Sequence, residues 1–290
     1  MKSIKLNNHL LRKYEKYLKE EEKSKATIEK YIRDIKALYE FLPEGKEITK
    51  EILVDFKQHL CEKGYEMTSI NSMLVAINRF LDYIHIPKYK IKLFKIQKKI
   101  FFDEDKELTK LEYQRLLQAA KTNHNEKLFM LLQTLCATGI RVSEHRYITV
   151  ESLMKRKAIV YNKGKQRIVL ISKNLCKMLL QYCKRNNIKK GPIFITKYGN
   201  PMDRSNVWTA MKKLCAKAGV KKEKVFPHNL RHLFALTYYH LKKDIVGLAS
   251  LLGHASIETT RVYTRTNAKE CLRYLHKMEL IYFPTHIKTT

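Results

Sequence analysis

Little in this sequence of 290 residues invites a metal, a disulfide or a membrane. Its six cysteines, at 61, 136, 176, 183, 215 and 271, form no CxxC pair and no metal-type spacing. They read as small core residues in a reducing compartment. The longest apolar stretch, around Leu128 to Ile140, is interrupted by Gln133 and Thr134 and is too short to span a bilayer. Met1-Lys2-Ser3-Ile4-Lys5-Leu6-Asn7-Asn8-His9 lacks the apolar segment of a signal peptide, so a cytoplasmic location is expected. With 9 glycines and 6 prolines, the chain has few helix breakers and should be globular and mostly helical. Acid is scarce too: 28 Asp and Glu stand against 58 Lys and Arg, a net charge of +30. Such an excess repels itself in a compact protein and calls for a polyanionic partner. Nucleic acid comes first, because neutralising phosphates releases condensed counterions. A basic soluble protein with no special partner is the plain alternative.

The chain is long enough for two domains, each with its own core. Residues 1–87 read as four amphipathic helices. In the second, Ile28, Tyr31, Ile32, Ile35, Leu38, Tyr39 and Leu42 recur at helical spacing, with Ser24 as N-cap and Pro43 as stop. The fourth places Ile70, Leu74, Ile77, Phe80, Leu81 and Ile84 on one face. Lys25, Lys30, Arg33 and Arg79 lie on the polar faces and suit phosphate contacts, although any one alone is more often a solvated surface charge. Residues 88–107 break the pattern. Lys88, Lys90, Lys92, Lys95, Lys98 and Lys99 alternate with Ile and Phe, giving a basic linker crossing a DNA backbone or, alternatively, an edge strand. A second domain, 108–290, opens at Thr109 and Glu112, which have capping-box spacing. Within it, Ala158 to Tyr161 and Arg167 to Ile171 flank the turn around Lys163-Gly164-Lys165 and predict a β-hairpin.

Four segments of this second domain carry chemistry. They are Ala137-Thr138-Gly139-Ile140-Arg141-Val142-Ser143-Glu144, the Lys163 turn, His228-Asn229-Leu230-Arg231-His232, and the stretch from Leu251-Leu252-Gly253-His254 to Tyr263. Singly, each has a dull explanation. His228 and His232 could be half a zinc site, but Arg231 between them puts positive charge where a metal would sit. Together and in this order, the segments resemble the tyrosine recombinase (phage integrase) family over nearly the whole chain. The shared marks are an Arg in T-G-[LI]-R-[VI]-S-E, a hairpin Lys, H-x-L-R-H, L-L-G-H and a Tyr nine residues beyond that last His. The chain departs from the pattern at His145-Arg146, at Ser152, and in a hairpin turn about one residue tighter.

The resemblance implies a mainly α protein: a small helical core-binding domain followed by a mixed α+β catalytic domain with a small β-hairpin. It implies a site-specific recombinase that cuts and rejoins DNA through a 3′-phosphotyrosyl link. Tyr263 would be the nucleophile, with Arg141, Arg231 and His254 clamping the phosphate. Lys163 would be the general acid, Lys165 competing for that part, and His228 the general base. Two guanidinium forks do here what a divalent ion does in other phosphoryl-transfer sites, so neither metal nor cofactor is implied. The implied partner is double-stranded DNA carrying specific sites, bound by a homotetramer spanning two of them, with any accessory protein unidentified. Arg204 and Ser205, opening a helix after Gly199-Asn200-Pro201, match a DNA-contacting helix start in the family. Leu272, Leu275 and Met278 form an apolar stripe suited either to a neighbouring protomer or to the chain's own domain. Two rival readings stay open: a non-catalytic architectural DNA binder, and a type IB topoisomerase that relaxes DNA without pairing sites.

Overall fold

A computed structural model of the chain describes residues 4–96, 105–162, 164–264 and 268–278. The chain is mainly helical with two small antiparallel sheets, as the sequence implies, and it divides into units Met1–Lys98 and Lys99–Thr290. Lys163, Lys98 and Lys99 lie outside the described residues.

The first unit holds α1 (Asn8–Glu20), α2 (Lys25–Phe41), α3 (Lys50–Glu62) and α4 (Met67–Tyr83). Asn7, Ser24 and Thr49 cap the first three, each side chain accepting a backbone N–H that would otherwise be orphaned. Each such cap contributes about 1 kcal/mol. The periodic apolar positions Ile35, Leu38, Leu53, Ile70, Leu74 and Phe80 meet in a fully buried core. A two-residue ladder, β1 (Ile4–Lys5) against β2 (Glu47–Ile48), ties the start of the chain to the α2–α3 connection.

The basic run after residue 87 forms no strand through residue 96. It is not free either. On α4, the Asn78 side chain accepts from the Ile91 N–H and donates to the Ile91 carbonyl, both at 2.9 Å. Asn71 does the same to Phe94, at 2.8 and 2.9 Å. A primary amide carries one donor side and one acceptor, so it imitates a neighbouring strand for one residue. The run is therefore fastened to this unit through Phe94, with Ile91 buried and Lys88, Lys92 and Lys95 exposed.

The second unit contains α5 (Lys110–Thr122), α6 (Glu126–Thr138), α7 (Val150–Met154), the hairpin β3 (Lys157–Asn162) with β4 (Lys165–Leu170), α8 (Lys173–Arg185), α9 (Arg204–Ala218), α10 (Pro227–Lys242), α11 (Ile245–Leu252) and α12 (Ala268–Lys277). The capping box forms: Thr109 Oγ1 accepts from the Glu112 N–H at 3.1 Å, and Glu112 Oε2 accepts from the Thr109 N–H at 2.8 Å. In the hairpin, Asn162 pairs with Lys165, leaving two residues in the turn. Ala158, Val160 and Val169 point into a core shared with α5, α6, α8 and α9.

Candidate active site

Arg141, His254 and Tyr263 sit where regular helix stops, and His228 and Arg231 lie near the start of one. Helix α6 ends at Gly139, whose left-handed backbone (φ 63°) turns the chain so that Arg141 starts a 3-10 segment, Val142–Tyr147. A Cβ at Gly139 would lie 2.4 Å from Phe234, so no larger residue fits. Gly253 ends α11 the same way and delivers His254. Tyr263 rides on another 3-10 turn, Arg261–Thr264, and is 2% exposed. His228 and Arg231 lie in the first two turns of α10, behind Pro227 at its first position, where a missing N–H is harmless.

Arg231 is the hub. It is 2% exposed, and three of its five N–H groups are spent inside the protein. Nη1 donates to the Gly139 carbonyl at 2.5 Å, while Nη2 donates to the Leu252 carbonyl at 2.7 Å and meets His254 Nε2 at 3.0 Å. One side chain thus joins the loop that presents Arg141 to the loop that presents His254. Burial and the charge of Arg141 push the Arg231 pKa down to about 10, which leaves it cationic at neutral pH.

An arginine has only donors, so His254 Nε2 is the acceptor of that bond and the imidazole proton sits on Nδ1. Nδ1 in turn faces Thr260 Oγ1 at 2.8 Å, and Thr260 is fully buried. Burial first, then the charges of Arg231, Arg141 and Arg167, lower the His254 pKa to about 4. His254 is therefore neutral at pH 7, and its Nε2 lone pair is occupied.

The ring of Tyr263 stacks on His254, with centroids 6.2 Å apart, and leans on His232 at 4.8 Å. Burial raises the phenol's pKa, and Glu107 adds to that. Arg231 and Arg141 oppose both effects by stabilising the phenolate. His228 belongs to the same cluster: partial burial, then its neighbours His232 and Arg231, lower its pKa, favouring the neutral base. It makes no hydrogen bond to the Tyr263 hydroxyl.

Sequence reasoning missed several members of this cluster. Glu144 is 1% exposed and accepts from the Arg141 N–H at 2.8 Å, from Arg141 Nη1 at 3.0 Å and from Arg167 Nη2 at 2.6 Å. It holds two like charges close together by standing between them. His232 Nδ1 lies 2.6 Å from Glu107, a carboxylate set behind the tyrosine. A clue to Glu144 lay in the motif itself, where it falls three residues after Arg141, within reach of one 3-10 turn. Nothing in the sequence pairs Glu107 with His232, 125 positions away.

Two departures from the family pattern are scaffold changes. His145 is buried, with Nε2 2.8 Å from the Met202 carbonyl and its ring edge-on to Phe194. Ser152 completes the capping box that starts α7, its Oγ accepting from the Thr149 N–H at 2.9 Å.

The candidate DNA contacts divide. Lys25, Arg33, Arg79, Lys165, Arg204 and Ser205 are exposed, the last two on the first turn of α9. Lys30 is not the free surface charge that its place on the helix suggests. It pairs with Asp34, the buried carboxylate of α2, and donates to the Ser72 carbonyl on α4 at 3.0 Å. Among the described residues, no group of three His, Cys, Asp or Glu could hold a metal ion, and no helix is long and apolar enough to cross a membrane.

Comparison with known proteins identifies the family and the fold. Residues 106–270 match the phage integrase family and residues 11–85 its N-terminal SAM-like domain. The tyrosine recombinase XerA of Pyrococcus horikoshii is 31% identical over 285 residues, 95% of each chain. Among solved structures, a lambda integrase dimer bound to a COC′ core site shares the fold at a TM-score of 0.74 and 17% identity, covering 99% of this chain and 100% of that one. A lambda integrase tetramer bound to a Holliday junction matches at 0.72 and 18% identity, over 90% and 77%. The chain belongs to the phage integrase family, the tyrosine recombinases.

Proposed function

We propose that this tyrosine recombinase breaks and rejoins DNA at specific sites through Tyr263, and that the side chains gathered around Arg231 form its phosphate-binding centre. The observation that carries the reading is the Arg231 hub. One buried guanidinium ties the Arg141 loop and the His254 loop together and lies against Tyr263. Attack by the phenol oxygen on a backbone phosphate puts negative charge on the non-bridging oxygens. The guanidinium groups of Arg141 and Arg231 meet that charge. His254 enters neutral, with Nε2 accepting from Arg231. An arriving phosphate favours its protonated form, and Nε2 then becomes a donor. His228 takes the phenol proton. Lys163, with Lys165 as the competing candidate, protonates the 5′-oxygen as the P–O bond breaks. The phosphotyrosine keeps the energy of the broken bond, so a 5′-hydroxyl from a second DNA rejoins it without ATP.

In this reading residues 1–87 form a core-binding domain, residues 88–107 a basic connection across the backbone, and residues 108–290 the catalytic domain. Four copies act on two sites in the cytoplasm, as the lambda integrase tetramer on a Holliday junction suggests by analogy. The stripe of Leu272, Leu275 and Met278, each more than half exposed on and just beyond α12, is available to a neighbouring copy.

A nicked suicide substrate built from DNA flanking the gene tests this. The wild type should form a covalent adduct, and Tyr263→Phe should bind the same DNA and form none. An adduct in that variant means another nucleophile. Site-independent relaxation of supercoiled plasmid as the sole product would instead favour topoisomerase chemistry.

A further inference from the structure

Arg167 plays no part in the chemistry set out above, yet it is among the most constrained side chains of the site. It stands on β4 opposite Val160, four residues past Lys163, and its side chain is 12% exposed. Its two terminal nitrogens reach in different directions. Nη2 donates to Glu144 at 2.6 Å, and Nη1 donates to the Leu251 carbonyl at 3.2 Å. Its stem fills the space over Gly253, where a Cβ would lie 2.3 Å from Cδ. A single residue of the hairpin is thus fixed both to the carboxylate that holds Arg141 and to the turn that precedes His254.

We propose that Arg167 is a positioning residue for protonation of the leaving group, fastening the hairpin tip so that its turn lysine reaches the 5′-oxygen. The proposal rests on the reading of a hairpin-turn lysine as general acid. Redundancy of support points to that step rather than to the phosphate clamp. Without Arg167, Arg141 keeps both of its bonds to Glu144, and His254 keeps Arg231 and Thr260. Arg231 still grips the Gly139 and Leu252 carbonyls. The hairpin tip, among the described residues, keeps Asn162 at 3.4 Å from Glu144 as its polar tie to the site. Lysine cannot take over, since a single ammonium does not span a carboxylate and a carbonyl in the way a guanidinium fork does.

The test is a suicide substrate whose scissile 5′-bridging oxygen is replaced by sulfur. The Tyr263 oxygen bonds to phosphorus, the P–S bond breaks, and the thiolate departs with the electron pair, needing no proton because a thiol is far more acidic than an alcohol. Arg167→Ala should cleave the ordinary substrate on the order of 10²-fold more slowly than wild type, the size of a lost general-acid contribution. It should regain most of that loss on the sulfur substrate. Arg167→Lys should follow it and carries the test if the alanine variant unfolds, as a melting curve would show. Lys163→Ala and Lys165→Ala report on the underlying reading, and one of them should be rescued in the same way. If a lysine variant is rescued and the Arg167 variants are not, the positioning role is wrong while the general acid stands. If none is rescued, the general-acid reading falls and takes the proposal with it. Wild-type cleavage of the ordinary substrate by Arg167→Ala also overturns it.

Discussion

The two units of this chain bury different things. Among the described residues, the first unit buries one charged side chain, Asp34, inside a core of Leu, Ile, Phe and Tyr. The second buries Glu144, His145, Lys224, Asn229, Arg231 and His232 as well as a larger apolar core. Burying charge costs free energy unless each group is paired, and removing one partner costs far more than the pair was worth. The first unit is a scaffold whose positive charge stays on its surface. The second places the positive charge of Arg231 inside and holds it with backbone carbonyls, while Glu144 binds Arg141 and Arg167 beside it.

The largest effect should come from the hub. Arg231→Ala leaves the Gly139 and Leu252 carbonyls without their donor and removes the cation beside Tyr263. Cleavage of the suicide substrate should fall by about 10³-fold or more, the scale of losing a charge-stabilising donor. Arg33→Ala in the first unit, by contrast, should weaken DNA binding uniformly and lower the salt slope by about 1 while leaving the cleavage rate of bound DNA intact. Equal effects in the two assays for both variants would erase the distinction drawn here.

Acid should also tell the units apart. His254, His228 and His145 all have lowered pKa values in the folded chain, chiefly through burial. In the unfolded chain they take up protons near the ordinary value of 6.5. Stability of the second unit is therefore full above about pH 6.5 and is lost as pH falls toward about 4, where His254 protonates in place. Allowing for the part of that ring that stays wetted, His254 alone should account for about 2 kcal/mol. Hydrogen exchange across this range should show α10 and α11 loosening before α2 and α4. The reverse order would contradict the burial argument.

The smallest effect sharpens the scaffold side. Asn71→Ala should destabilise the first unit by about 1 kcal/mol by leaving the Phe94 N–H and carbonyl to water. Asn78→Ala should do the same at Ile91. Both should weaken DNA binding without removing a charge, through the freed lysine row. Unchanged affinity would mean that the row does not meet DNA.

Much of this was legible in the sequence. The helices of the first unit followed from the spacing of residues such as Ile28, Ile35 and Leu38, because an amphipathic stripe at period 3.6 has one way to bury itself. The capping box at Thr109 formed as read, and the hairpin around Gly164 formed with its ladder extending to Asn162 and Lys165, closer to the turn than the strand pattern suggests. The family motifs named Arg141, Arg231, His254 and Tyr263, and the fold brings all four together. What stayed hidden depends on long-range partners. Lys30 looked like any exposed helical lysine until Asp34 and the Ser72 carbonyl closed over it. Arg167 read as a strand residue until its contacts with Glu144 and Leu251, the latter 84 positions away, appeared.

By itself the sequence determined the helical class, the basic character and the family motifs that single out Arg141, Arg231, His254 and Tyr263, because periodicity, charge and motif spacing are local properties. The tertiary structure alone decided which nitrogen of His254 carries its proton, which carboxylates restrain the arginines and which side chains lean on Tyr263. Those are questions of who faces whom across loops far apart in the chain, and electrostatics inside a protein is set by such distances and by exclusion of water, neither of which is written in residue order.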